Sequence, residues 1–201
     1  MTSARLSSPS TARNREPIMA VIAQHFPVSG KVLEIASGAG EHAVFIAKAL
    51  PGLTWQPSDA DKAARESIAA WIAHEKLTNV LTPLAIDVRA ADWGAPGPFD
   101  AIVAINMIHI APWDATQALM AGAARVLAPG GLLFLYGPYK RDGAHTAPSN
   151  EVFDASLRSR NPLWGVRDLA DVEQEAKING LTLRIVVEMP ANNLSVIFAK
   201  T

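Results

Sequence analysis

Apolar and polar positions alternate along this chain in two rhythms: short continuous apolar runs, and longer stretches with apolar residues three and four apart. The two rhythms take turns, and that order predicts an α/β protein with a mostly parallel sheet. Short apolar-rich runs mark strands at 31–36, 53–57, 81–86, 101–105 and, after Gly130-Gly131, 132–135, and the run at 101–105, without polar alternation, reads as a parallel strand buried on both faces. Helices are expected at 17–26, 41–50, 61–75 and 112–127, the last turning Leu119, Met120, Ala123 and Val126 inward. Pro17 suits a first helical turn, so the residues before it read as a polar lead. Residues 140–148 mix charge, glycine and proline and read as an irregular lip or lid over a site. Two further helices, 150–160 and 168–179, lead to strands 181–188 and 194–200. The short Pro190-Ala191-Asn192-Asn193 link between those strands suggests a hairpin with one antiparallel strand at the C-terminus. The expectation is a seven-stranded, mostly parallel sheet in a single domain over 17–201, with 1–16 as an N-terminal segment able to cap a pocket.

The chemistry is concentrated where the first strand ends, at Val32-Leu33-Glu34-Ile35-Ala36-Ser37-Gly38-Ala39-Gly40. A strand, a small glycine-bearing turn and a helix form a nucleotide-binding layout, because Gly38 and Gly40 let the backbone approach a ligand and the helix aims free amides at it. Glu34 adds more than the glycines do. A dinucleotide site would use the amides for a pyrophosphate, whereas a carboxylate four residues before Gly38 suits a ligand with a cationic or amine end.

At these residues the chain resembles the class I S-adenosylmethionine-dependent methyltransferases, whose first motif is acid-x-Gly-x-Gly-x-Gly, with Ala36 here in place of the first glycine. Trp55-Gln56-Pro57-Ser58-Asp59 ends a second strand in an acid about twenty residues on, where a ribose-binding carboxylate is expected. Pro83 to Val88 would end the third strand in Asp87, matching the acid that meets the adenine amino group, with Val88 beside it. Phe99 to Asn106 and Leu127 to Leu135 look like the family's fourth and fifth strands. Finer details, Arg13 to Ile18, Asn106 to Ile110, Tyr136-Gly137-Pro138-Tyr139 and Met189 to Asn193, are similar to a group known as domain of unknown function 938, or methyltransferase-like protein 26. The resemblance implies a Rossmann-like class I fold, S-adenosylmethionine as cofactor, and Glu34, Ser37, Gly38, Gly40, Asp59, Asp87, Val88, Asn106 and Met107 as the residues that bind it.

Each assignment has a plainer competitor. Glu34 could cap the turn; Ser58, Asp59 and Asp61 compete to cap the following helix, and Asp92 shares a loop with Asp87. Asn106 and Met107 leave a strand at the C-terminal edge where open α/β sheets bind ligands, so Asn106 is expected to position the reactants. His109, three residues on, is the histidine that topology brings near the reaction; it is either a base or a brace for the strand-to-helix turn. Tyr136 and Tyr139, at the exit of the fifth strand, are expected to bind substrate or to pack under the lid. Arg13, Asn14 and Arg15 would fold over the pocket and hold an anionic group, or form a solvated tail. Arg158, Arg160, Trp164 and Arg167 cluster around a proline-containing connection that could wall the pocket.

Composition agrees with a cytoplasmic enzyme acting on a small molecule. A net charge of −1 gives no electrostatic case for nucleic acid, and the absence of cysteine excludes disulfides and thiolate metal sites. No apolar run approaches the roughly 20 residues of a membrane span. Arg5, Arg13 and Arg15 among many hydroxyls and no acid in the first fifteen residues also resemble an organelle transit peptide. Two other classes compete: a non-catalytic cofactor-binding or partner-binding protein, and a nicotinamide oxidoreductase, against which Glu34 and the lack of a separate substrate domain count. Methyl transfer is an in-line displacement of a neutral leaving group, so alignment can supply roughly 7–11 kcal/mol and a general base is optional.

Overall fold

The structure, a computed structural model, describes residues 5–201. The first four positions of the N-terminal segment, and with them part of the transit-peptide reading, lie outside the described residues. Helix α1 (Pro9–His25) begins well before the expected start at Pro17, which lies inside it. Tertiary contacts hold the added turns: the Ser8 amide donates to Glu41 at 2.6 Å, the Leu6 amide to Ser67 Oγ at 2.8 Å, and Trp71 Nε1 to the Leu6 carbonyl at 2.8 Å. Pro9 takes the first-turn role that the sequence offered to Pro17.

Strand β1 (Gly30–Ile35), helix α2 (Glu41–Ala49), strand β2 (Leu53–Pro57) and helix α3 (Lys62–Glu75) follow as expected. The expected strand at 81–86 does not form. That segment runs beside β2 through two isolated bridges, Trp55 with Val80 and Ser58 with Leu84. Pro83, between them, has no N–H to continue a ladder. Strand β3 (Phe99–Ile105), helix α4 (Trp113–Val126) and strand β4 (Leu127–Gly137) complete the parallel part of the sheet.

The expected irregular lip is instead a hairpin, β5 (Tyr139–Arg141) with β6 (Ala144–His145). Its two-residue turn is Asp142-Gly143, with φ of 52° and 78°, a pair suited to the left-handed conformation that hairpin turns require. Helix α5 (Pro148–Arg160) leads to β7 (Arg167–Asp168), which joins β5 in a small second sheet. Helix α6 (Leu169–Ile178) and the expected hairpin of β8 (Leu181–Met189) and β9 (Asn193–Lys200) close the chain.

Among the described residues the central sheet therefore has six strands rather than seven, in the order β2-β1-β3-β4-β9-β8. The first three pairings are parallel and the last two antiparallel, so β9 alone runs against the rest. Alternation along each strand sends side chains to opposite faces. Leu33, Ile35, Ile102, Ala104, Leu133 and Leu135 pack with α4 and α6, while Val32, Ala101, Val103 and Phe134 pack with α1 and α2. Because β1 to β4 and β8 run the same way, their C-terminal ends share one edge, and the 190–193 link falls there too. Among the described residues no helix is long and apolar enough to cross a membrane.

Candidate active site

The glycine turn at the end of β1 is held by side chains from the end of β2. The Gly38 amide donates to Asp59 Oδ2 at 2.9 Å, the Ser37 amide to the Ser58 carbonyl at 2.8 Å, and Ser58 Oγ to the Glu34 carbonyl at 2.7 Å. Gly38 has φ 56°, and a Cβ there would meet nothing within 4 Å, so the turn faces open space. Gly40 has φ 91°, and a Cβ would lie 2.9 Å from the Cα of Ile68, so only glycine lets α3 pack against the turn. Ala36 holds a left-handed φ of 54° where the resembled motif has glycine.

Competition for the α3 cap is settled by Asp61, whose carboxylate accepts from the amides of Ala63 and Ala64 at 3.2 and 3.3 Å. Asp59 is left to face the turn. Its other oxygen accepts only the Asp61 amide at 2.9 Å, which leaves lone pairs on the carboxylate for a ligand. Glu34 is buried, with Oε2 accepting from Trp55 Nε1 at 2.9 Å. Burial pushes its carboxyl up to about 7, against the downward pull of that hydrogen bond.

Two cavities open on the shared edge. The smaller, about 270 Å³, has Asp59 and Ala36 at one end, Ile86, Asp87 and Val88 along one side, and Met107, Ile110 and Trp164 on the other. Asp87 is exposed and bound by Arg89, with Nη2 to Oδ2 at 2.8 Å; the ion pair holds its carboxyl below the usual range. Arg160 stacks over the Trp164 ring, 5.5 Å from its centroid.

The larger cavity, about 630 Å³, brings together Arg13, Asn14, Asn106 and Tyr136. Asn150, Phe153 and the 190–193 link supply the opposite wall, and Ile110 lines both cavities. Asn14 links α1 to α2, its Oδ1 accepting from His42 Nε2 at 2.9 Å, and it pulls the phenol of Tyr136, at the end of β4, down against the upward push of burial. Burial and the Arg15 guanidinium push His42 down to about 4, so its ring is neutral near pH 7.

Several of the residues singled out from the sequence lie outside both cavities. Arg15 turns away from the cavity and stacks on Phe45, 4.6 Å from its centroid. Tyr139 is fully buried and lines neither cavity; its ring meets His109 edge-on at 5.2 Å. Burial raises its phenol far above the ordinary range. His109 is also fully buried and lines neither cavity, and burial together with Arg167 pushes its imidazole down to about 3. These two rings pack under β5 because the Tyr139 side chain alternates inward from a strand rather than outward from a loop.

Arg167, one of the clustered arginines, does not wall a cofactor or substrate cavity. Its Nη2 donates to the Ala111 and Leu163 carbonyls, the latter at 3.0 Å, and its Nε to the Ile108 carbonyl at 3.1 Å, while the Gly165 amide donates to the His109 carbonyl at 3.0 Å. The segment thus braces the turn that carries Ile110. Arg158 pairs with Asp154 at 3.2 Å. A wider cleft of about 860 Å³ lies between the small sheet and α6. It carries charges of both signs and none of the proposed cofactor or substrate residues.

The family model for DUF938, described as a protein of unknown function, matches residues 5–200. The chain belongs to that family. Its fold is similar to solved methyltransferases. An O-methyltransferase family protein from Burkholderia thailandensis superposes with a TM-score of 0.82 at 17% identity, covering 96% of this chain and 57% of that one. CalO1, a methyltransferase in calicheamicin biosynthesis solved in its SAH-bound form, gives 0.76 at 18% identity, covering 96% and 55%. Human N-acetylserotonin methyltransferase in complex with SAM gives 0.77 at 12% identity, covering 95% and 52%. This chain therefore spans little more than half the length of those proteins, and the likeness is one of fold.

Proposed function

We propose that this protein is a cytoplasmic S-adenosylmethionine-dependent methyltransferase acting on a small molecule, mainly by aligning the reactants. The observation that carries the reading is that two cavities share Ile110 in their walls, one lined by the Asp59 that holds the glycine turn and the other by polar side chains from α1 and β4. The residues suit the cofactor. Asp59 keeps lone pairs for ribose hydroxyls, the open space at Gly38 admits a ligand against the turn, and Val88, Met107 and Ile110 give apolar walls for a flat base. Glu34 places a carboxylate at the base of the turn, suited to an amine. When bound, S-adenosylmethionine supplies a sulfonium methyl group open to in-line displacement. Asn106, on the left-handed turn after β3 and lining the larger cavity, would orient the acceptor, and α1 would cover it.

Calorimetry tests the reading. S-adenosylhomocysteine should bind at least tenfold more tightly than NAD, and comparable NAD binding would overturn the assignment. Asp59→Ala should weaken S-adenosylhomocysteine ten- to a hundredfold, since a hydrogen bond to a charged partner contributes about 1.5–3 kcal/mol. Unaltered affinity would remove Asp59 from the site.

A further inference from the structure

The larger cavity carries an asymmetry of charge. Arg13 lines it from α1, exposed, and no described residue forms a hydrogen bond or ion pair with its guanidinium. Among the described residues no aspartate, glutamate or histidine lines this cavity. A cationic acceptor would meet a fixed positive charge without a counter-charge.

The second donor is set by hydrogen-bond direction. Asn14 Oδ1 can only accept, so the His42 Nε2–H is the donor in their 2.9 Å contact. The asparagine NH2 is thereby left to face the cavity that Asn14 and Tyr136 line together, where Asn14 pulls the Tyr136 phenol down against the upward push of burial. A phenolic donor from Tyr136 and a guanidinium from Arg13 thus line one cavity. The rest of the lining is uncharged: Phe153, with a flat ring face, Ile110 and Pro138 are apolar, and asparagines and serines complete the wall.

We infer that the acceptor is a planar, anionic oxygen acid of the arylcarboxylate type, its negative group held by Arg13 and the Tyr136 hydroxyl. The inference rests on the methyltransferase reading for its chemistry, and on the cavity alone for its binding. Since no wall residue is available to take a proton, the attacking oxygen is one already deprotonated in solution. An anionic oxygen forms the new O–C bond as the C–S bond breaks, giving a neutral ester and a neutral thioether, and no proton is transferred.

Direct binding separates this inference from the methyltransferase reading. Benzoate, benzamide and benzylamine are titrated into the protein with and without S-adenosylhomocysteine. Benzoate should bind at least tenfold more tightly than benzamide, with benzylamine weakest, and added salt should narrow the gap. Arg13→Gln, at an exposed position, should remove most of the benzoate preference with an unaltered melting curve, and Tyr136→Phe should weaken benzoate severalfold. Equal binding of benzamide, no benzoate binding at millimolar concentration, or full preference in Arg13→Gln would each overturn the inference. Benzoate preference without S-adenosylhomocysteine binding would sink the methyltransferase reading and leave the anion site standing.

Discussion

The smaller cavity draws its walls from the ends of β1, β2 and β3 and the segment beside β2, whereas the larger draws on α1, the exit of β4, α5 and the 190–193 link. In the first, polar groups are fixed close by, Asp59 by the Gly38 amide after the adjacent strand and Asp87 by Arg89 in its own segment. In the second, Arg13 comes from one end of the chain and Asn192 from the other, joined only by tertiary packing. The difference teaches that the proposed cofactor side is a property of the parallel sheet edge, while the proposed acceptor side is an assembly whose lining can vary without disturbing that edge.

Glu34 gives the largest expected effect within the sheet-edge region. Its folded carboxyl titrates at about 7 against 4.5 when unfolded. Between those values the folded state holds a proton that the unfolded state has released, so this group makes stability fall as pH rises through the window. Above it the cost is about 3 kcal/mol, at 1.36 kcal/mol per unit. Glu34→Gln should therefore raise the melting temperature by several degrees at pH 8 and much less at pH 5, while weakening S-adenosylhomocysteine. If pH 8 melting is unchanged, or the ligand binds more tightly, the sheet edge is not holding a destabilising carboxylate for function.

Arg167 tests whether the two cavities share a wall. Arg167→Met leaves the Ile108 and Ala111 carbonyls without their charged donor, a loss of about 2 kcal/mol by the usual worth of such bonds. Lysine should not rescue it, because a single ammonium cannot span both carbonyls as the fork does. The turn carrying Ile110 should loosen, so affinity for S-adenosylhomocysteine and for benzoate should fall together in parallel titrations. A loss confined to one ligand would show that the cavities are independent.

The contrast between the cavities is also a contrast in what the sequence showed. The ends of β1, β2 and β3 were legible because an apolar run followed by a small or acidic residue is a local signal. The strand expected at 81–86 looked equally apolar, but Pro83 interrupts the ladder and only bridges form. Arg13, Asn14, Asn106 and Tyr136 could be picked out one by one, yet nothing local said that Arg15, next to Asn14 on the same helix, points to Phe45 instead. Tyr139 and His109 take the packing alternatives that the sequence left open, while 140–148 was read as a loop although Asp142-Gly143 is a hairpin signal in its own right. Arg167 stood out only as one of a cluster, and its bracing role had no local signal, since two of its carbonyl partners, Ile108 and Ala111, lie more than fifty residues away.

Ala36 offers the smallest and sharpest test of the sheet-edge region. It stands where the resembled motif has glycine, at φ 54°, and its side chain edges the smaller cavity. A left-handed conformation costs a residue with a Cβ about 1–2 kcal/mol, while glycine loses roughly 0.5–1 kcal/mol through greater freedom in the unfolded chain. The two terms oppose each other, and the strain is the larger. Ala36→Gly should thus stabilise by under about 1 kcal/mol, a rise of roughly 2 °C in melting temperature for a chain of this size. Affinity for S-adenosylhomocysteine should change less than threefold, because the bonds that shape the turn, from Ser37 to Ser58 and from Gly38 to Asp59, do not involve the Ala36 side chain. A lower melting temperature would mean that the methyl group packs well enough to outweigh its strain. A large loss of affinity would mean that the departure from glycine is itself part of the binding surface.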